Sequence, residues 1–290
     1  MFSILICSMN ASFLEKLKIN IRETIGNEYE ILVWDNLAEQ RPIAEVYNIL
    51  ASRARYPYWC FIHEDIRFET MNWADNLRKA FAENPGTGLI GIAGAKYKSK
   101  TPSGWSTGLK ELDYCNIYHQ DQNGLTQHIY MNLSKNVFEP VTNVDGVFIV
   151  VRREVWNSAQ FNEENLRGFH LYDIDFSFHV VKHWKAAVLF NIDIMHFTQG
   201  GNYGDAWLEP TLRWHSLFSN QLPQSTEKDS ANKSWEKKIR IFWLKRLSDE
   251  KISWKNKWKW IQAGKTLLDP MAWPFIVLFL FGKTLRGPKP

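Results

Sequence analysis

Apolar and polar positions alternate in blocks along the first hundred residues. SILIC (3–7) is an apolar run of strand length, and SFLEKLKINIRETI (12–25) repeats its apolar residues at helical spacing. YEILVWD (29–35) predicts a second strand and IAEVYNILASRAR (43–55) a second helix. YWCFIH (58–63) predicts a third strand, NWADNLRKAFAEN (72–84) a third helix and GLIGIAGA (88–95) a fourth strand. Near-continuous apolar strands between helices specify an α/β fold, a mostly parallel sheet flanked by helices on both faces. In such sheets ligands bind beyond the carboxyl ends of the strands.

The pattern then loosens. Residues 98–127 read as a long polar loop, a length that usually serves as a lid or binding loop. VFEPVTNVDGVFIVVRREVW (137–156) returns to strand character, broken at Asp145 and Gly146. YDIDFSFHVVKHW (172–184) predicts a helix, AAVLFNI (186–192) a strand and HFTQGG (196–201) a loop. SNQLPQSTEKDSANK (219–233) is a polar linker, which divides the chain into a working domain (1–218) and a tail (234–290).

Charge sharpens that division. Residues 234–290 hold thirteen Lys and Arg against four Asp and Glu, a local +9 within a chain whose total is +4, so the working domain is acidic. The fourteen Trp crowd the second half. Cys7, Cys60 and Cys115 stand far apart without a CxxC pair, which fits a reduced compartment better than a disulfide frame. MFSILICSMN lacks the positive flank of an export signal, so the expected location is cytoplasmic and the Asn-x-Ser matches at Asn10, Asn132 and Asn232 are incidental.

Four stretches carry candidate chemistry. In CFIHEDIRF (60–68), His63, Glu64 and Asp65 end a buried strand. They form either a solvated turn or a site for a hard divalent cation, since Mg2+ and Mn2+ favour carboxylate oxygen and Mn2+ also accepts imidazole. In YDID (172–175), an Asp either caps a helix start or serves as a general base facing the same cleft. His196 is either a packed residue or a third group at the ion. CSMNAS, after the first strand, has no glycine, which argues against a dinucleotide fingerprint; no GxxxxGK[ST] occurs, which excludes a P-loop. Any nucleotide on this sheet would need a metal to manage its phosphates.

Taken in order, SMN, VWDN, AEVYN, FIHEDIRF, GIAGAKY, VDGVFIVVRREVW, FHLYDIDFSF and HF-x-QGG resemble the family 2-type glycosyltransferases of GT-A fold. Within them they are most similar to the bacterial streptomycin-biosynthesis (StrF-like) branch, over about residues 1–205. The resemblance implies a nucleotide-diphosphate sugar lying across the strand ends. It makes HED the DxD-like motif, with Asp65 as main metal ligand and His63 in the place of the first Asp, and His196 as the late metal-binding histidine. It makes Asp173 the catalytic base of an inverting transfer. It sets Ser8, Asn10, Asp35 and Asn36 at the nucleoside, Glu64 within the same nucleotide-binding set, and Asp145 and Gly146 beside the transferred sugar. The implied cofactor is Mn2+ or Mg2+, and the acceptor is a hydroxyl of a glycan or lipid-linked sugar. A nucleotidyltransferase of similar sheet and a non-catalytic sugar- or membrane-binding protein are the rival readings. The first would need a Gly-rich basic loop where SMNASF stands.

The resemblance stops before the tail. There, Trp235, Ile239, Phe242, Trp243 and Leu247 fall on one helical face, and Trp254, Trp258 and Ile261 continue in a second helix. PFIVLFLF (274–281) is far below the ~20 residues a membrane span needs. A basic helix rich in Trp suits an anionic membrane surface and a peripheral place on the inner face of the cell membrane. The same residues would equally serve to pack the tail on the working domain. The acidic domain and the lack of a recognised module argue against nucleic acid.

Overall fold

The computed structural model describes residues 1–121, 123–197, 203–227 and 233–285, with side chains to residue 281. Gly200, Gly201, residues 228–232 of the linker and Asn232 with them lie outside the described residues.

The N-terminal blocks become β1 (Phe2–Ser8), α1 (Ala11–Thr24), β2 (Tyr29–Asp35), α2 (Ile43–Arg53) and β3 (Tyr58–Ile62). β4 (Ile66–Phe68), α3 (Trp73–Glu83), β5 (Thr87–Gly91), β6 (Ala93–Ala95) and β7 (Tyr97–Lys98) follow. Next come β8 (Asp113–Gln120), β9 (Thr126–Met131), β10 (Phe138–Val141), β11 (Asn143–Val144) and β12 (Phe148–Arg152). α4 (Tyr172–Val180), β13 (Lys185–Leu189), β14 (Ile194–His196), α5 (Asp205–Leu217) and β15 (Gln224–Ser225) lead to the tail helices α6 (Lys233–Ser248), α7 (Trp254–Ala263) and α8 (Trp273–Leu285).

A seven-stranded sheet in the order β10-β13-β5-β12-β3-β1-β2 forms the centre. β1 runs parallel to β2 and β3, and β13 parallel to β5, while β12 lies antiparallel between β3 and β5. Alternate residues of β1 serve opposite faces, as the period of a strand requires. Ile4 and Ile6 pack with Leu17 of α1 and Trp73 and Phe81 of α3; Leu5 packs with Val46, Tyr47 and Leu50 of α2 and Phe176 of α4. Asn10 starts α1 by accepting the Ser12 and Phe13 N–H groups, which have no partner inside the helix.

A second sheet, β11-β6-β8-β14-β4 with β9 on β8, stands beside the first. It changes two readings of the sequence. The fourth predicted strand breaks at Ile92, and its halves, β5 and β6, enter different sheets. The polar loop expected over 98–127 contains β8, whose first residues are buried. β8 is not an apolar run because its polar side chains find partners inside. Asn116 Nδ2 donates to the Phe190 and Ile192 carbonyls, and Asp113 accepts from Ser106, Thr107 and Gly108. α4 stops four residues before the predicted end of its helix.

The tail helices turn their apolar face inward. Ile239, Trp243, Leu247, Trp260 and Ile261 are buried with Leu171, Phe178, Trp207 and Trp214 in a third core. No described helix is long and apolar enough to cross a membrane.

Candidate active site

The two sheets meet at residues 63–65. His63 follows the end of β3 in the central sheet, Asp65 precedes β4 in the second, and the His63 N–H is fixed by the Val147 carbonyl. β14 pairs antiparallel with β4, His196 opposite Ile66, and the Phe197 N–H donates to the Asp65 carbonyl at 2.9 Å. That register brings a histidine 131 positions away in the chain to the carboxylate. His196 Nε2 lies 3.4 Å from Asp65 Oδ2, and His63 Nδ1 lies 3.9 Å from Asp65 Oδ1. One ligand atom from each of the three falls within 4.8 Å of the others. Ligands about 2.1 Å from an octahedral ion lie roughly 3–4 Å apart, so this spacing fits a shared cation. A carboxylate with two imidazoles is a softer set than all-oxygen cages and suits Mn2+ above Mg2+. Burial works to raise the Asp65 carboxyl, but His196 and His63 outweigh it and hold the group below its ordinary range. Burial is also the main reason that the His63 imidazole is held below its own.

Tyr172 decides which nitrogen of His63 is available. Its hydroxyl stands 3.0 Å from the Gly146 carbonyl, an acceptor only, and 2.8 Å from His63 Nε2. The single phenolic proton goes to the carbonyl, so Nε2 carries the imidazole proton and donates to the Tyr172 oxygen. The Nδ1 lone pair is left facing Asp65, as a ligand requires. Gly146 permits this contact, because a Cβ there would collide with the Tyr172 hydroxyl.

Asp173 stands at the start of α4, next to Tyr172, and its Oδ2 accepts the Gly146 N–H at 3.0 Å. Burial, reinforced by the neighbouring Asp145 carboxylate, raises its pKa to about 7. Asp145 Oδ1 accepts the Val147 N–H, which holds the bend between β11 and β12.

Two cavities open on these residues. One, of about 550 Å³, is lined by Asn10, Asn36, Arg41, Glu64, Arg167 and others. The second, of about 640 Å³, is lined by Trp105, His119, Asp145, Gly146, Asp173 and His196 among others. His63, Asp65 and Phe169 border both. Of the expected nucleotide residues, Asn10, Asn36 and Glu64 line the first cavity. Ser8 and Asp35 border neither: the Ser8 hydroxyl donates to Glu64, and Asp35 accepts the Leu37 N–H. Glu64 also takes the Met9 and Asn10 N–H groups, so its carboxylate ties β1's exit to β3's. Arg41 is a lining residue that no sequence pattern marked. Phe169 and His119 lie in stretches the sequence did mark, FHLYDIDFSF and 98–127, but nothing there singled them out.

A mostly parallel sheet with an acidic, metal-fitted strand end and a second small sheet is the GT-A glycosyltransferase architecture. Residues 3–200 match the glycosyltransferase-like family, so the chain belongs to that family and is a transferase. No curated protein matches the chain by sequence. Among solved structures, S. aureus TarS 1-349 is similar with a TM-score of 0.58 at 12% identity, covering 98% of this chain and 87% of that one. Longer S. aureus TarS gives 0.54 at 11% identity over 98% of this chain and 52% of its own. GalNAc-T7, solved with UDP, GalNAc and Mn2+, gives 0.50 at 10% identity over 73% of this chain. The present chain spans about half, 47%, of GalNAc-T7.

Proposed function

We propose that this transferase moves a sugar from a nucleoside diphosphate to an acceptor hydroxyl, with inversion at the anomeric carbon. One observation carries the reading: the His63–Asp65–His196 cluster lies where the two cavities meet, with Asp173 in the second. A cation on that cluster, Mn2+ in preference to Mg2+, supplies the positive charge that stabilises the departing diphosphate. The remaining roles belong to the chain. The first cavity, with Asn10, Asn36, Arg41 and Glu64, takes the nucleoside; Ser8 holds Glu64 in place, and Asp35 lies outside the lining. Asp145 and Gly146 flank the sugar. Asp173, once ionised, removes the acceptor's proton as its oxygen attacks the face opposite the leaving group. The UDP and Mn2+ in the GalNAc-T7 structure support this reading. The HED and YDID motifs in their order support a place in the StrF-like branch.

We further infer a glycan or lipid-linked acceptor, and a division into a catalytic domain (1–218), a linker (219–233) and a C-terminal helical part that meets an anionic membrane from the cytoplasmic side. The basic charge of residues 234–290 supports this.

Hydrolysis of UDP- and GDP-sugars, with Mn2+ and after chelation, tests the activity. Release of nucleoside diphosphate only with the metal, abolished in Asp173→Asn with nucleotide affinity kept, is the expected outcome. Release of pyrophosphate when a nucleoside triphosphate and a sugar 1-phosphate are supplied would instead mark a nucleotidyltransferase, and no metal-linked turnover of any donor would mark a binding protein.

A further inference from the structure

The face of the tail that the sequence offers to a membrane is not the face left open. Ile239, Trp243, Leu247 and Ile261 point into the third core. A different set stands in water: Leu267 (49% exposed), Leu268 (80%), Met271 (67%), Trp273 (56%), Val277 (50%) and Phe281 (45%). Trp273, Val277 and Phe281 are four residues apart on α8, so they form one stripe along the helix. The opposite stripe, Ala272, Ile276 and Phe279, is buried. The Trp273 indole N–H donates to the Leu267 carbonyl, which joins the preceding turn to that stripe. At its other end the Trp254 ring lies 5.3 Å from Phe281. α8 is therefore apolar on both sides, and among the described residues only one of them is covered. Such a contiguous exposed patch marks a docking surface.

Charge says what covers it. Exposed Lys251 and Lys255 flank Trp254, and exposed Lys265 precedes Leu267, so the patch is edged by ammonium groups with no acidic residue between 251 and 268. Large apolar and Trp side chains rimmed by lysine match the boundary between acyl chains and anionic headgroups. We propose that the outer stripe of α8 with the 267–271 turn inserts into an anionic lipid surface, while the lysines beside it contact the headgroups. This rests on the membrane reading above and replaces its contact face. It also ties lipid to the second cavity. The tail's inner side holds the 99–108 segment: Glu236 accepts from Ser99 and Lys100, and the Trp243 and Trp260 indoles donate to the Ser106 and Pro102 carbonyls. Trp105 of that segment lines the cavity that holds Asp173.

The test uses the full chain with vesicles of phosphatidylcholine, with and without a third of phosphatidylglycerol. Wild type is expected to co-sediment only with the anionic vesicles. Trp273→Glu with Val277→Glu should weaken this at least about tenfold, and Lys255→Glu with Lys265→Glu should weaken it and flatten its salt dependence. Circular dichroism and Mn2+-dependent donor hydrolysis in solution should match wild type in both, which separates failure of this surface from failure of the catalytic reading. Unchanged binding by the stripe variant would overturn the proposal. So would indifference of wild type to anionic vesicles, or concentration-dependent self-association that the stripe variant abolishes, since a second copy would then be the occupant.

Discussion

At the scale of single residues, His63, Asp65, His196 and Asp173 were legible because strand ends and a helix start mark them, and because their order resembles a family. Tyr172 was not legible as the partner of His63. The two are 109 positions apart, and only folding makes a phenol the selector of an imidazole's free nitrogen. Tyr172→Phe leaves the His63 Nε2–H without its acceptor, and Mn2+ affinity should fall about tenfold or more, read from the loss of free-ion signal in paramagnetic resonance. Asp173 gives a pH dependence with a definite sign. A base raised to about 7 is ionised only above that value, so turnover should climb between about pH 6 and 8. Its effect on stability runs the other way. The folded chain keeps that proton where the unfolded chain has lost it, so stability is fully present below the unfolded pKa of about 4 and declines as pH rises through about 7. Asp173→Asn should therefore raise the melting temperature at pH 8 relative to wild type and leave it unchanged below about pH 4.

At the scale of elements, β1 to β3 with α1 and α2 could be read directly, since each strand carries an apolar run (ILI, ILVW, WCFI) and each helix repeats its apolar residues at helical spacing. β8 could not. It is a central strand of the second sheet, yet Asn116 and Asp113 satisfy their polar groups internally, so its sequence looks like loop. α6 was recognised as a helix, but its partner was not, because an apolar stripe does not say whether protein or lipid covers it. The structure gives that stripe a fixed role. Trp243 is buried, stacks on Trp207 and donates to the Ser106 carbonyl. Trp243→Ala should cost about 3–5 kcal/mol in urea denaturation. Glu236 accepts from Tyr97, Ser99 and Lys100, so Glu236→Ala should cost about 1–3 kcal/mol and loosen the 99–108 segment, seen as faster amide exchange there.

For the molecule as a whole, the split of charge suggested an acidic working domain beside a basic, aromatic tail. The two share the third core, where Trp207, Trp214 and Phe178 of the first part are packed with Ile239, Trp243 and Trp260 of the second. A chain ending at Leu222 should expose that core and aggregate on size exclusion rather than yield a free catalytic domain. Around the site, the two sheets, the two cavities and α4 converge on three side chains spaced to hold one ion. Mn2+ titration of wild type and Asp65→Asn in the presence of UDP or GDP, followed by paramagnetic resonance, tests that convergence most directly. Saturable binding of one ion by wild type, strengthened by the nucleotide and weakened at least about tenfold in the variant, is expected. Equal binding by both proteins would mean that the cation does not sit between the sheets, and the chemistry built on it would fail.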